Sequence, residues 1–338
     1  MLMQIVAQLL VFIGALVVLA IVAGVLVDAV IVIARRFRIP GSIAGATLAA
    51  AATSAPELGT NVFALLAASE EPAAANIGIG AIVGSAVFNL TVIVGLIALT
   101  GRSVTIAKRV ARKEGVVYAA AVLLLLVFLG AIGIPRFSLS RLESVALVTA
   151  YGLYLWWLVS DARTSVGSSV GSEDDDDKPT GTAFVKLAMS AAVIAVACHF
   201  LVDSTRFLAR HLVNVLELEH HAATSFLSLV VVAATTSVPD ALASLAAARR
   251  GEASLAVANA IGSNTFDILI CIGLPIAIIG RRTVAPVTVA SGVFLLMATV
   301  VLLASLWRRP TLTRAKGIIL LTMYAVFLVL VAMFVAHA

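Results

Sequence analysis

The stretch AAAATSAPELGTN, Ala49 to Asn61, places a proline and a glutamate, Pro56 and Glu57, in the middle of an apolar run. A proline inside a helix removes a backbone donor, and a carboxylate resists leaving water. The surroundings sharpen the conflict. Of 338 residues, 62% are apolar and 12% charged, whereas soluble domains carry about 25% charged residues. The mean hydropathy is +1.12. Surface this apolar calls for lipid as its solvent. The net charge of +5 sits in short basic clusters between apolar runs, which reads as a topology signal and not as a nucleic-acid footprint.

A membrane-spanning helix needs roughly 20 mostly apolar residues. Ten runs of that kind lie near 4–34, 41–68, 74–99, 114–133, 141–160, 183–210, 222–248, 253–279, 284–306 and 315–336. The sequence therefore predicts an all-α polytopic membrane protein with ten transmembrane helices. The second, third, seventh and eighth should be broken, since Gly, Ser, Thr, Pro or acidic residues interrupt them. The first run has no basic n-region and no A-x-A site, so it is read as a retained span. Sixteen Lys and Arg fall in the odd-numbered loops and six in the even-numbered ones. Basic residues favour the cytoplasm. Odd loops are thus expected inside, and both termini outside the cell membrane.

The halves on either side of a hydrophilic segment, 161–182, resemble each other. LVDAVIVIARRF (26–37) parallels LVDSTRFLARHL (201–212), ATSAPELGTN parallels TTSVPDALAS (235–244), and AIVGSAVFNLTVIVGL (81–96) parallels NAIGSNTFDILICIGL (259–274). Three matches in one order make an internal repeat. The expected units are 1–160, an acidic cytoplasmic linker at 161–182 that is too polar to bury a core, and 183–338. Five spans per half is an odd number, so the second half enters the membrane upside down. Broken helices at matching places in inverted halves point to a mid-membrane ion site.

The chemistry of the breaks agrees. Pro56 cannot donate to the carbonyl of Ala52, which should free carbonyls near Ala50–Ala52. Thr53 and Ser54 add hydroxyls, and Glu57 adds a carboxylate. Carbonyl, hydroxyl and carboxylate form a hard-oxygen set, suited to Na⁺ or Ca²⁺. The same residues also fit a capping box, Ser54-x-x-Glu57, which Ser237-x-x-Asp240 imitates. A serine alone could cap, however, and a carboxylate at bilayer depth costs about 2.5–3.5 kcal/mol. Ser85 and Asn89 share a helix face, as do Ser263 and Asp267. Gly84 and Gly262 beside them allow close backbone approach. Glu57, Asp240 and Asp267 together bring up to three negative charges. Asp28 and Asp203 read as interface or packing residues, with gate contacts as the alternative. Glu217, Glu219, His220 and His221 read as solvated loop residues, His199 as a satisfied buried histidine, and Cys198 and Cys271 as small buried apolar residues. No Walker-type loop is present.

These motifs resemble the cation/calcium exchanger superfamily, specifically its sodium/calcium exchangers. TSAPE…GSAVFN and TSVPD…GSNTFD are similar to that family's two alpha repeats, with GSAVFN, TSVPDALASLAAARRG and IGSNTFDIL closest in motif to the potassium-dependent branch. The resemblance implies a secondary antiporter exchanging Na⁺ for Ca²⁺ by alternating access, with no cofactor and with spans one and six sliding across the core. It implies Glu57 and Asp240 as the central cation ligands. Thr53, Ser54, Ser85 and Asn89 would complete the first repeat. Thr236, Ser237, Ser263 and Asp267 would complete the second, with the backbone carbonyls of Ala50 and Ala233. An Asp at 267 is linked to K⁺ use in one branch, yet potassium-independent relatives carry it too, so K⁺ involvement stays open. So does Ca²⁺/H⁺ exchange, since carboxylates carry protons. A passive cation channel fits the inverted breaks less well. Ala86 departs from its counterpart Asn264 and makes the halves unequal.

Overall fold

The structure is a computed structural model and describes residues 2–67, 73–100, 103–131, 136–165, 180–215 and 226–336. Helix α1 (Leu2–Arg36) ends on Arg35 and Arg36, cations that suit a helix C-terminus. Pro40 precedes α2 (Gly41–Thr53). At Ser54 the backbone leaves helical geometry (φ −87°, ψ 5°), and α3 (Ala55–Ala67) starts there. The break lies where Pro56 cannot extend the ladder. Helix α4 comprises Ala73–Phe88, a π-helical turn at Asn89–Ile93, and Val94–Leu99. After β1 (Ser103–Thr105), α5 begins with a π-helical turn, Val110–Glu114, and continues as Gly115–Phe128. Then come β2 (Ser138–Leu139) and α6 (Arg141–Ser165).

The second half repeats this order. Its elements are α7 (Thr180–Val215), α8 (Leu227–Val232 in a π-helical turn, then Ala233–Thr236) and α9 (Val238–Arg249). Next come α10 (Ala253–Ile279, with a π-helical turn at Asp267–Ile272), β3 (Arg282–Thr283), α11 (Pro286–Trp307), β4 (Thr311–Thr313) and α12 (Arg314–Ala336). Helices α8 and α9 meet at 47°. Among the described residues seven helices are long and apolar enough to cross a membrane, or eight with that bent pair.

Three expectations are refined. The second and seventh runs are broken as read. The third and eighth, α4 and α10, are continuous: Gly, Ser, Asn and Asp fit within a helix, and the irregularity becomes a widened π turn, a feature frequent at functional sites. Both ends of the expected 161–182 linker are helical, since α6 reaches Ser165 and α7 starts at Thr180. Its acidic run lies outside the described residues, as do Glu217, Glu219, His220 and His221.

The strand pairs show which loops share a face. β1 pairs antiparallel with β4, joining the loop after α4 to the loop before α12. β2 pairs antiparallel with β3, joining the loop before α6 to the loop after α10. Odd loops thus meet odd loops and even meet even. Helices α1 and α7 pack mainly on each other. Their outer faces expose large apolar residues, such as Ile21 at 65% and Met189 at 63%. Such a surface suits lipid.

The close approach of α10 to α2 depends on Gly262. A Cβ there would lie 2.5 Å from Ala46 Cα and 2.7 Å from its carbonyl oxygen, and backbone cannot yield cheaply. Gly84 meets the Leu229 carbonyl in the corresponding way. Gly262→Ala should therefore lower the melting temperature in detergent, at a cost of about 1–3 kcal/mol. Gly14→Ala, with nothing within 4 Å, should melt as the wild type does.

Candidate cation-binding site

The two helix breaks, at Ser54 and Ser237, and the two π turns, at Asn89–Ile93 and Asp267–Ile272, bring the predicted polar residues into one buried region. Thr53, Ser54, Ser85, Asn89, Ser237, Asp240, Ser263 and Asp267 are all 0% exposed, Thr236 is 1% and Glu57 is 2%. Asp240 is the best-held carboxylate. Its Oδ2 accepts Asn89 Nδ2 at 2.7 Å, and its Oδ1 accepts the Ser263 hydroxyl at 2.9 Å. Ser263 Oγ lies 3.4 Å from Thr53 Oγ1. Ser85 and Ser237 share a hydrogen bond of 2.6 Å.

Three of these contacts join one half to the other: Asn89 to Asp240, Ser85 to Ser237, and Thr53 to Ser263. A repeat alone does not show this crossing. Asn264 gives a further example. Its Nδ2 donates to the carbonyl of Ala86 at 2.9 Å and to the Tyr118 hydroxyl at 3.1 Å. Ala86 is its own counterpart in the repeat. The inequality seen in the sequence is therefore a fit, with the amide of one half reaching the bare backbone of the other.

Other carboxylates are not satisfied this way. Among the described residues, both oxygens of Glu57 and Oδ2 of Asp267 are buried without a hydrogen-bond partner, as are Ser54 Oγ and Asn89 Oδ1. Asp267 Oδ1 receives the Cys271 thiol, at 3.5 Å. The unpartnered atoms around the breaks are all oxygens. A region rich in buried acceptors and short of donors calls for positive charge. The three acids do not converge on one point: among the described residues no three Asp, Glu, His or Cys side chains form a ready metal cluster. Hydroxyl, amide and carbonyl oxygens have to supply the rest of any coordination shell.

Two sequence readings need correction. Neither serine caps its helix. Ser54 Oγ has no partner, and Ser237 Oγ donates back to the Ala233 carbonyl at 2.8 Å. The capping-box alternative is not realised. The carbonyls of Ala50 and Ala233 are also not free. The first accepts the Ser54 N–H at 2.9 Å and Thr53 Oγ1 at 3.2 Å. The second accepts the Ser237 N–H at 3.1 Å, Ser237 Oγ and Thr236 Oγ1. Pro56 and Pro239 withdraw a donor from the carbonyls four residues earlier, Ala52 and Thr235, so those of Ala50 and Ala233 keep theirs.

Outside this region, Asp28 forms a two-pronged ion pair with Arg250, at 2.7 and 3.1 Å, tying α1 to the end of α9. Asp203 faces His199 at 3.4 Å. His199, expected to be buried, is 64% exposed, because it lies on the outer face of α7. Cys198 and Cys271 are buried as read. Sequence reading missed Asn61, Asn259 and Tyr118. Asn61 lies four residues after Glu57, the spacing that identified Ser85 with Asn89, so a signal for it existed.

Residues 7–160 and 182–333 match the family model described as Sodium/calcium exchanger protein. The chain is 30% identical over 312 residues to the inner membrane protein YrbG of Escherichia coli (strain K12), covering 90% of each. It is 31% identical over 238 residues to an uncharacterized membrane protein of Methanocaldococcus jannaschii, covering 70% of each. Its fold is similar to that of the sodium-calcium exchanger NCX_Mj, with a TM-score of 0.74 at 25% identity, covering 95% of this chain and 98% of the other. Likeness to a probable sodium/potassium/calcium exchanger of Drosophila melanogaster reaches 40% but spans 32% of this chain and 18% of that one. The leaning toward the potassium-dependent branch therefore rests on a local match.

The hydrogen bonds rank the site residues. Asn89→Leu strips a donor from a buried carboxylate and should cost about 1.5–3 kcal/mol. Ser85→Ala leaves Ser237 its bond to Ala233 and should cost about 1 kcal/mol or less. Thermal unfolding in detergent measures both, and equal losses would remove Asp240 from the centre of the network.

Proposed function

The chain belongs to the sodium/calcium exchanger protein family, and from that premise we propose that it carries Ca²⁺ out of the cytoplasm against inward-moving Na⁺ through one shared site. The observation that supports this most is the set of buried, unpartnered oxygens on Glu57, Asp267, Asn89 and Ser54, beside an Asp240 already held by donors. Hard oxygens of this kind match Na⁺ and Ca²⁺ and match zinc or copper poorly.

In this reading Glu57, Asp240 and Asp267 carry the charge. Asn89, Thr53, Ser54, Ser85, Thr236, Ser237 and Ser263 supply neutral oxygens or hold the carboxylates in place. Ala50 and Ala233 take part once the hydroxyls now bonded to their carbonyls turn away. Up to three negative charges are neutralised by three Na⁺, or by one Ca²⁺ with a monovalent cation. Either cation consumes the same carboxylates, so both do not bind at once, and that exclusion couples the two fluxes. The units 1–160 and 183–338 act as inverted halves with odd loops in the cytoplasm and both termini outside. The pairing of α1 with α7, which rest chiefly on each other and expose apolar outer faces, supports a unit able to slide over the remaining helices. The Asp28–Arg250 pair then lies across that sliding boundary. K⁺ co-transport is the second reading, favoured by the local match to sodium/potassium/calcium exchangers and by Asp267.

The test is Ca²⁺ uptake into proteoliposomes with Na⁺, K⁺ and H⁺ gradients imposed separately. An outward Na⁺ gradient should drive uptake, and Glu57→Gln should lower it at least about tenfold, equivalent to about 1.4 kcal/mol. Uptake driven by a pH gradient without Na⁺ would replace this reading with Ca²⁺/H⁺ exchange. Conductance independent of any counter-ion would replace it with a channel.

A further inference from the structure

Asn61 ends the stretch that interrupts α2 and α3, four residues beyond Glu57 on the same face of α3. It is 0% exposed, and its Nδ2 donates to the carbonyl of Cys271 at 2.6 Å. That carbonyl belongs to the π turn Asp267–Ile272 of α10. Where the chain returns to α-helical pairing after the turn, its partner would be the N–H four residues on, but that residue is Pro275, which has none. With the α-helical donor removed by Pro275, the Asn61 amide supplies a donor to this buried carbonyl. The Cys271 thiol in turn lies 3.5 Å from Asp267 Oδ1 and 3.8 Å from the Ser54 carbonyl. One short chain of contacts thus runs from α3, which carries Glu57, to the turn that carries Asp267.

The contact is closely enclosed. A Cβ on Gly78 of α4 would collide with Asn61 Oδ1, so the amide oxygen rests against bare backbone and the side chain has little freedom. It is also one-sided. In the first half, Ile93 and Ile97 stand where Cys271 and Pro275 stand, so no proline removes the donor there. In the second half the counterpart of Asn61 is Ser244, which accepts Asn259 Nδ2 at 3.0 Å within its own half.

We propose that Asn61 is a positioning residue that ties the π turn of α10 to α3, sets the separation of Glu57 and Asp267, and thereby tunes the grip of the site on a divalent cation. This rests on the reading that those two carboxylates hold the transported ions. Asn61 acts through the Cys271 backbone and not by touching the ion.

Pro275 supplies the decisive experiment, because Pro275→Ala returns a backbone N–H four residues past Cys271. In proteoliposomes, Asn61→Ala should raise the half-saturating Ca²⁺ concentration about five- to tenfold, the scale of one lost hydrogen bond, with the maximal rate within about twofold. Asn61→Ala combined with Pro275→Ala should recover most of the wild-type half-saturation, and Pro275→Ala alone should stay near it. Unchanged half-saturation in Asn61→Ala, or no recovery in the double variant, overturns the proposal. Should Asn61→Ala not fold, Asn61→Ser is read by the same criteria, and failure of both that Pro275→Ala does not reverse also overturns it. The Ca²⁺-dependent rise in melting temperature in detergent separates this proposal from the exchanger reading. A wild type stabilised by Ca²⁺ that does not move it ends the exchanger reading. Positioning then stands if Asn61→Ala needs about five- to tenfold more Ca²⁺ for equal stabilisation, and falls if the Ca²⁺ dependence is unchanged. A wild type that Ca²⁺ neither stabilises nor crosses overturns both.

Discussion

Asp240 holds the amide of Asn89 on one oxygen and the hydroxyl of Ser263 on the other, while the side-chain oxygens of Glu57, almost as deeply buried, have no hydrogen-bond partner among the described residues. A carboxylate inside a membrane protein is stable only where donors or cations meet it. The architecture answers that demand. Helix breaks at Ser54 and Ser237 bring hydroxyls and carboxylates to the same depth. Gly84 lets α4 approach α8, and Gly262 lets α10 approach α2, close enough for those side chains to meet. The donors present suffice for Asp240 and not for Glu57 or Asp267, and that shortage is what the proposed cation site rests on.

The halves are repeats, but the site is assembled across them. Asn89 reaches Asp240, Ser85 reaches Ser237, and Asn264 reaches the carbonyl of its own counterpart, Ala86. Unequal residues at matching positions work as partners. Two amides facing each other at 86 and 264 would compete for the same space, and alanine leaves its carbonyl open to the amide. The same logic separates Asn61, which spans to α10 of the other half, from Ser244, which stays within its own.

Much of this could be read from residue types. The apolar runs marked the helices, because a hydrocarbon solvent demands long apolar segments with internally bonded backbone. Pro56 and Pro239 marked the breaks, because proline has no N–H. The paired Ser, Asn and Asp marked the faces, because helical spacing brings residues four apart together. What could not be read was where hydroxyl protons and carbonyl lone pairs go. The carbonyl of Ala50 was expected to be free and is engaged, the capping alternative for Ser54 and Ser237 is not realised, and His199 was expected to be buried and lies on the outer face of α7.

By itself, the sequence determined the solvent of this protein, the proline-marked breaks at Ser54 and Ser237, its repeat and its oxygen-rich inventory, since each follows from local chemistry and spacing. Only the tertiary structure decided which acid is satisfied and which is left without a hydrogen-bond partner among the described residues. Hydrogen bonds saturate, and a donor on α4 can serve one acceptor among several equally plausible in sequence. Packing gave the Asn89 amide to Asp240 and the Asn61 amide to the backbone of Cys271, and left Glu57 with none.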